Sequence, residues 1–174
     1  ILIVIARYSP ITFFKQIFPA IATAFSTDSS IATLPVTMDC LEKNVGISKK
    51  IVGFIVPLGA TVNMDGTALY EAVAAVFIAQ VFGIDMTLTQ QLIIMLTAIL
   101  ASVGAAGIPS AGLVTMVIVL KSVDLPLEGI GILLAVDRIL DMFRTTVNVI
   151  SDSCGALVLS RFENERLNSS DSYI

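Results

Sequence analysis

Gly104-Ala105-Ala106-Gly107-Ile108-Pro109-Ser110-Ala111-Gly112 lies inside a stretch, from Asp85 to Lys121, that carries no charge between its ends. Such a stretch is long enough to cross a bilayer, which takes about 20 apolar residues. Yet the three glycines and one proline at its centre break a helix. Each flanking half is too short to span comfortably. Two half-helices that meet at a loop, entering and leaving by the same side, fit better: a re-entrant hairpin over residues 85–123. Its non-helical tip must be buried in protein or line a wet cavity, because lipid cannot satisfy bare peptide groups.

The rest of the chain agrees with an apolar solvent. Its 174 residues are 56% hydrophobic and 14% charged, with a mean hydropathy of +0.92. A soluble domain carries roughly 25% charged residues, so an all-α membrane protein is predicted. The ten Lys and Arg residues are scattered, without a basic stripe, and nucleic acid is not suggested. Cys40 and Cys154 are far apart and lack metal spacing, which reads as a pair of buried thiols. There is no His, hence no His-based triad or His-ligated metal, and neither a P-loop nor a dinucleotide fingerprint occurs. No enzyme class is indicated.

An earlier segment repeats the hairpin design. Residues Ile11 to Phe25 are apolar and helical in character; Ser26-Thr27-Asp28-Ser29-Ser30-Ile31-Ala32-Thr33-Leu34-Pro35 interrupts them, and a shorter helical stretch follows to about Val45. Each hairpin precedes an apolar helix that carries polar groups. The predicted order is therefore the end of a preceding transmembrane helix (1–10), re-entrant hairpin 1 (11–46), a broken transmembrane helix (47–84), re-entrant hairpin 2 (85–123), a last transmembrane helix (124–161, helical from about Leu127 to Ser160) and a polar, disordered tail (162–174). Gly46 to Lys50 reads as a wet connection. The opening apolar stub, ended by Arg7, reads as the tail of a helix begun upstream, so the natural protein is expected to be longer. Interrupted hydrophobic segments at matching positions of two halves point to a transporter site, with an inverted-repeat-like arrangement.

Chemistry concentrates on the last helix. At about 100° per residue, Asp137, Asp141, Arg144, Asn148 and Asp152 share an arc of roughly 80°. One reading is a solvated amphipathic face, or ion pairs joining helices; Asp141 and Arg144 can pair at i, i+3. The other is an interior stripe, since an intramembrane charge costs about 2.5–3.5 kcal/mol on insertion scales and is kept only for a purpose. Three acids against one Arg leave a strip that needs a cation. Asn63-Met64-Asp65-Gly66-Thr67 is a turn signal flanked by apolar segments. It is either a loop between helices or a helix unwound at membrane depth, whose carbonyls and side-chain oxygens suit a hard cation. The hairpin tips, with Ser29 and Ser30 at one and Ala106 to Gly112 at the other, allow close backbone approach. They offer helix N-termini to a carboxylate, or else serve helix packing alone.

At these residues the sequence resembles the dicarboxylate/amino acid:cation symporter family, which includes the excitatory amino acid transporters. The matching stretches are Asn63-Met64-Asp65-Gly66-Thr67, Gly104-Ala105-Ala106-Gly107-Ile108-Pro109, Ala32-Thr33-Leu34-Pro35, and Asp141 through Arg144-Thr145 to Asn148 and Asp152. They come in family order across nearly the whole chain. The resemblance implies a multi-pass protein of the plasma membrane, a homotrimer in which each subunit has a scaffold and a mobile transport domain working as an elevator. This chain resembles most of the transport domain, with the scaffold and one further sodium-site helix upstream.

The resemblance also implies roles. Arg144 would grip the substrate's side-chain carboxylate, Asp141 its α-amino group, and Asn148, with the Ser30 backbone, its α-carboxylate. Thr67, the Ile108 carbonyl, Ser29, Gly112 and Thr145 complete the expected substrate set. Asp152 with carbonyls of Gly59, Asn63 and Asn148 matches one sodium site; Thr61, Ser102, Val103 and Ala105 match a second; Asn63 and Asp65 match part of a third. Glu71 matches a proton-carrying glutamate. The implied activity is sodium-coupled symport of acidic amino acids, aspartate or glutamate, with Na+ as coupling ion and no organic cofactor. Alternatives are a carrier of neutral amino acids or C4-dicarboxylates, a substrate-gated anion channel of the same family, and a non-transporting homologue. A guanidinium that grips carboxylates bidentately favours an acidic side chain. The sequence departs from the family at Asp28, where relatives have Ser or Arg, at Ile31, where Ser is usual, and at Ser151, where Gly is usual. Asp28 is a candidate to pair with Arg144.

Overall fold

A computed structural model describes residues 1–105, 110–165 and 167. All regular elements among them are helical. They are α1 (Pro10–Thr27), α2 (Ser30–Asp39) running into a π-helical turn (Cys40–Val45), α3 (Lys49–Val62), α4 (Asp65–Val81), α5 (Leu88–Val103), α6 (Ala111–Lys121), a 3₁₀ turn (Leu127–Gly129), α7 (Ile130–Leu134) and α8 (Asp137–Phe162).

Local chemistry accounts for most boundaries. Ser9, Ser29 and Ser48 cap α1, α2 and α3, each hydroxyl accepting a backbone N–H three residues on. Pro10 opens α1, where its missing N–H costs nothing. Thr87 and Gln90 form a reciprocal capping box at the start of α5. α1 ends at Asp28, which stands in the left-handed region at φ 51°. α3 ends at Asn63, whose backbone is extended, and α4 restarts at Asp65, an acid placed at a helix N-terminus.

The helix breaks expected at Ser26–Pro35, Asn63–Thr67 and Gly104–Gly112 are therefore present, and residues 106–109 lie outside the described residues. Two expectations need correction. The last helix is not continuous from Leu127: α7 ends at Leu134, and α8 begins at Asp137 after Val136 at φ −122° and ψ −3°. At the start of the chain the Ile5 N–H bonds to the Ile1 carbonyl at 2.8 Å in a single turn, and Arg7 at φ 46° then redirects the chain. The connection after Gly46 is shorter than expected, because Ile47 is buried and α3 already starts at Lys49. At the tail, Glu165 accepts the Ser48 N–H at 3.0 Å; residues 166 and 168–174 lie outside the described residues.

α8 is the hub, packing on α1, α2, α3, α4 and α7, while α1 pairs with α2 and α5 with α6. Two main apolar cores result. One joins α4, α5 and α6 through Ala75, Ile78, Ala98, Met116 and Leu120. The other joins α1, α3 and the C-terminal half of α8 through Phe13, Ile17, Val52, Ala156 and Leu157. The charged residues of α8 belong to neither core. Large apolar side chains also cover the outside: Phe54 is 65% exposed and Leu100 75%. By length and composition, one described helical stretch could cross a membrane, Lys49–Val81, which includes the break at Asn63; α5 and α6 are apolar but shorter.

Candidate functional site

All five residues of the predicted stripe, Asp137, Asp141, Arg144, Asn148 and Asp152, are buried, at 3–4% exposure. The solvated-face reading of α8 is thereby excluded. Burial requires partners, since an unpaired interior charge is costly, and the partners come from several elements.

Arg144 is held from below and covered from the side. Its Nε donates to Asp141 Oδ1 at 2.8 Å, and Nη1 to Asp137 Oδ1 at 3.3 Å. Its Cζ lies 4.5 Å from the centre of the Tyr70 ring on α4, a cation–π contact. Nη2 is buried without a hydrogen-bond partner among the described residues. A guanidinium fixed on two edges with a third corner open is prepared for one more acceptor. Asp141 is fully engaged. Besides Arg144 it receives the Thr145 hydroxyl at 3.4 Å and the backbone N–H of Ser110 at the start of α6. Ser110 also donates its hydroxyl to Asp137 at 3.0 Å. The end of the second helical pair thus rests directly on the acids of α8. Gly112 makes that approach possible: a Cβ there would stand 2.8 Å from Arg144 Nη1 and 3.0 Å from its Cζ.

Asn148 joins the stripe to the α3–α4 break. Its Oδ1 accepts the Gly66 N–H at 2.7 Å, and its amide nitrogen reaches Thr67 Oγ1 at 3.4 Å. A methyl group on Gly66 would collide with the Arg144 backbone, which explains glycine at the first turn of α4. One turn further along α8, Asn63 Nδ2 donates to Asp152 Oδ1 at 2.8 Å and to Ser151 Oγ at 2.9 Å, while the Ser151 hydroxyl bonds Asp65. Gly59 packs flat against the Asp152 carboxylate, where any side chain would clash. Gly59, Asn63, Ser151 and Asp152 share one cleft. The Asp152 carboxylate is the charged oxygen donor in this cleft, a ligand type that suits a hard cation. Among the described residues no three His, Cys, Asp or Glu side chains converge as metal ligands, so a cation here would depend on backbone oxygens.

The remaining predicted residues fall into two groups. Ser29 and Ser30 are buried at the α1–α2 junction, where α2 packs on α8, and Thr67 and Thr145 are buried in the cluster. Glu71 is wholly buried, and Thr115 on α6 donates its hydroxyl to Oε1. By contrast Thr61 is exposed, its hydroxyl bonded to the Leu58 carbonyl at 2.8 Å. Val103 is also exposed, while Ser102 and Ala105 are buried. Among the described residues no hydrogen bond joins Thr61 to this stretch. Ile108 lies outside the described residues. Cys40 is buried, Cys154 half-buried, and both are free thiols.

Three participants were not singled out from sequence, Tyr70, Ser110 and Thr115, nor was the acceptor role of Asp137 for Ser110. Tyr70 sits beside Glu71 in an apolar helix, and a buried tyrosine normally seeks a polar partner for its hydroxyl; that was the available signal. Asp28 does not pair with Arg144. Its ion-pair partner is Arg138, Nη1 to Oδ2 2.6 Å.

Charges turned inward and apolar side chains turned outward define a helical protein built for a solvent other than water, with a polar interior site. The chain belongs to the sodium:dicarboxylate symporter family, whose model matches residues 1–162. It is 54% identical over 169 residues to excitatory amino acid transporter 2 of Homo sapiens, an alignment that covers 97% of this chain and 29% of that protein. To excitatory amino acid transporter 1 of Ambystoma tigrinum it is 53% identical over 167 residues, 96% of this chain and 31% of that one. To an excitatory amino acid transporter of Caenorhabditis elegans it is 47% identical over 171 residues, 98% and 34% respectively. The chain thus spans about a third of the length of the relatives it matches. The family and these relatives are transporters, and membrane residence follows from the family.

Proposed function

We propose that the chain is the substrate-binding transport region of a sodium-coupled symporter of acidic amino acids, aspartate or glutamate. The observation that carries this reading is Arg144: a buried guanidinium, clamped by Asp137 and Asp141, with Nη2 unpartnered among the described residues. An open guanidinium corner in an interior site fits a substrate carboxylate. Asp141 is the group for the substrate ammonium, which would displace the Ser110 N–H that now occupies it. Asn148, Thr67, Thr145, Ser29, Ser30 and Gly112 are assigned to the remaining substrate atoms, as is the carbonyl of Ile108, which lies outside the described residues.

Sodium is cargo as well as coupling ion. Asp152 with Gly59, Asn63 and Asn148 carbonyls forms one site, and the Gly59 cradle and Asn63 amide support it. Thr61, Ser102, Val103 and Ala105 form a second, and Asn63 with Asp65 part of a third. Glu71 is the candidate for a carried proton. In this reading 11–46 and 85–123 are re-entrant hairpins, 47–84 and 124–161 transmembrane helices, and hairpin 2 the gate, since its α6 end rests on Asp137 and Asp141. The protein works as a homotrimer in the plasma membrane by an elevator motion.

The test is aspartate uptake into vesicles by the full-length protein. Uptake should require an inward sodium gradient. Arg144→Ala should abolish aspartate uptake, a loss of about 100-fold or more expected for removing a desolvated charge partner, and neutral amino acids should not suffer that loss. Sodium-indifferent uptake would remove the coupling claim, and unchanged aspartate uptake in Arg144→Ala would remove the substrate assignment.

A further inference from the structure

Asp28 is a buried acid whose needs the site described above does not meet. It terminates α1 with φ 51°, so the turn into α2 and the serine tip pivots on it. Its side chain is fully buried, yet among the described residues neither carboxylate oxygen accepts a well-aligned hydrogen bond. Its ion-pair partner among the described residues is Arg138, a side chain 68% exposed that reaches back from the first turn of α8. Asp28 also lies within electrostatic range of Asp141 and Arg144. Asp28 at the end of α1 and Arg144 on α8 are both buried, and the two helices pack on each other.

A buried carboxylate with no aligned donor is held in place only by a counter-charge. Arg144 would be the natural one, since its fork suits a carboxylate. That alternative pairing would fill the very corner a substrate needs. The structure instead has Arg138 engaging Asp28, from the opposite end of the α8 first turn, while Arg144 stays with Asp137 and Asp141.

We propose that Arg138 is a positioning residue: by pairing with Asp28 it fastens the α1–α2 tip to α8 and keeps the Asp28 carboxylate from competing for Arg144. The effect on substrate rests on the functional reading above, whereas the pairing itself does not. The device is peculiar to a chain with both residues. Each alone is a liability, an orphan buried acid or an unpaired surface cation, and the pair is expected to behave as a unit.

The test is a double-mutant cycle on the full-length protein purified in detergent, with Arg138→Gln, Asp28→Asn and the double variant, and Arg138→Lys as the charge-retaining control. Aspartate binding is measured by calorimetry in sodium. Arg138→Gln should weaken binding about tenfold, while the double variant should return to within about threefold of the parent, because removing the acid removes the competitor. Arg138→Lys should bind nearly as the parent does. Maximal uptake rate should change less than KM. Unchanged affinity in Arg138→Gln, or a double variant as weak as Arg138→Gln, would overturn the proposal. Thermal melting of the same proteins without aspartate reads the pair independently of substrate: Arg138→Gln should lower the melting temperature, and the double variant should fall by less than the sum of the single changes. Additive losses would show that the two residues do not act together. Should the parent bind no acidic amino acid at all, the functional reading fails, and the melting cycle alone decides the pairing.

Discussion

Arg144 has little freedom. Two acids hold its inner edge, Tyr70 lies beside its plane, and Gly66 and Gly112 are so close that neither tolerates a side chain. Gly66→Ala would push a methyl into the Arg144 backbone. It should cost about 1–3 kcal/mol of stability, as overpacking does, and weaken aspartate binding more than it lowers the melting temperature would suggest; calorimetry and melting on one preparation compare the two. Ser151 bridges Asn63 and Asp65 through a hydroxyl. Ser151→Gly should leave aspartate selectivity intact and shift the sodium concentration for half-maximal uptake, which a sodium titration checks. At this scale much was legible. That Asp137, Asp141, Arg144, Asn148 and Asp152 share one helical face could be read from spacing; that the face is buried rested on the cost of charge in an apolar segment. Which acid pairs with which cation could not be read. Asp28 was matched to Arg144, and the structure pairs it with Arg138 instead.

The broken elements carry the polar chemistry because a helix interrupted in an apolar setting needs partners for its loose ends. At the α3–α4 break, Asn148 satisfies Gly66 and Asn63 satisfies Asp152. Asn63→Ala removes the donor to a buried carboxylate and should cost about 1–3 kcal/mol in sodium-free buffer, with sodium restoring part of the loss; differential scanning fluorimetry measures both. Where α6 meets α4, Thr115 gives its hydroxyl to Glu71. Thr115→Val keeps the shape and deletes the donor, so it should lower thermal stability by about 1–3 kcal/mol without abolishing sodium dependence. Breaks marked by Gly, Pro or Asn were readable from sequence. The one between α7 and α8 was not, because Ala135 and Val136 carry no breaking signal. Asp137 was the hidden cue: an acid suits a first turn, and once its side chain faces Arg144 the helix must begin there.

As a whole, the described chain has its cores on either side of a polar seam, α4–α6 on one side and α1, α3 and the end of α8 on the other. Ligands that bridge such a seam stabilise by mass action. Sodium at about 100 times its dissociation constant should add ~2.7 kcal/mol, seen as a rise in melting temperature that an equal concentration of choline does not give. The coupling is also reciprocal: the factor by which sodium tightens aspartate must equal the factor by which aspartate tightens sodium, and paired titrations measure both. Fold class was legible here because composition reports the solvent. The way helix pairs dock on α8 was not, because apolar faces of similar chemistry can meet in several ways. The buried stripe of α8 has a last consequence, for biogenesis. Each of its charges would cost about 2.5–3.5 kcal/mol if the helix left the translocon alone. Tyr70 on α4, which covers Arg144, and the amide of Asn63, which donates to Asp152, are synthesised earlier. Membrane integration of this segment is therefore a docking event onto helices already waiting, and a ribosome stalled before α8 should leave a polar groove open to chaperones.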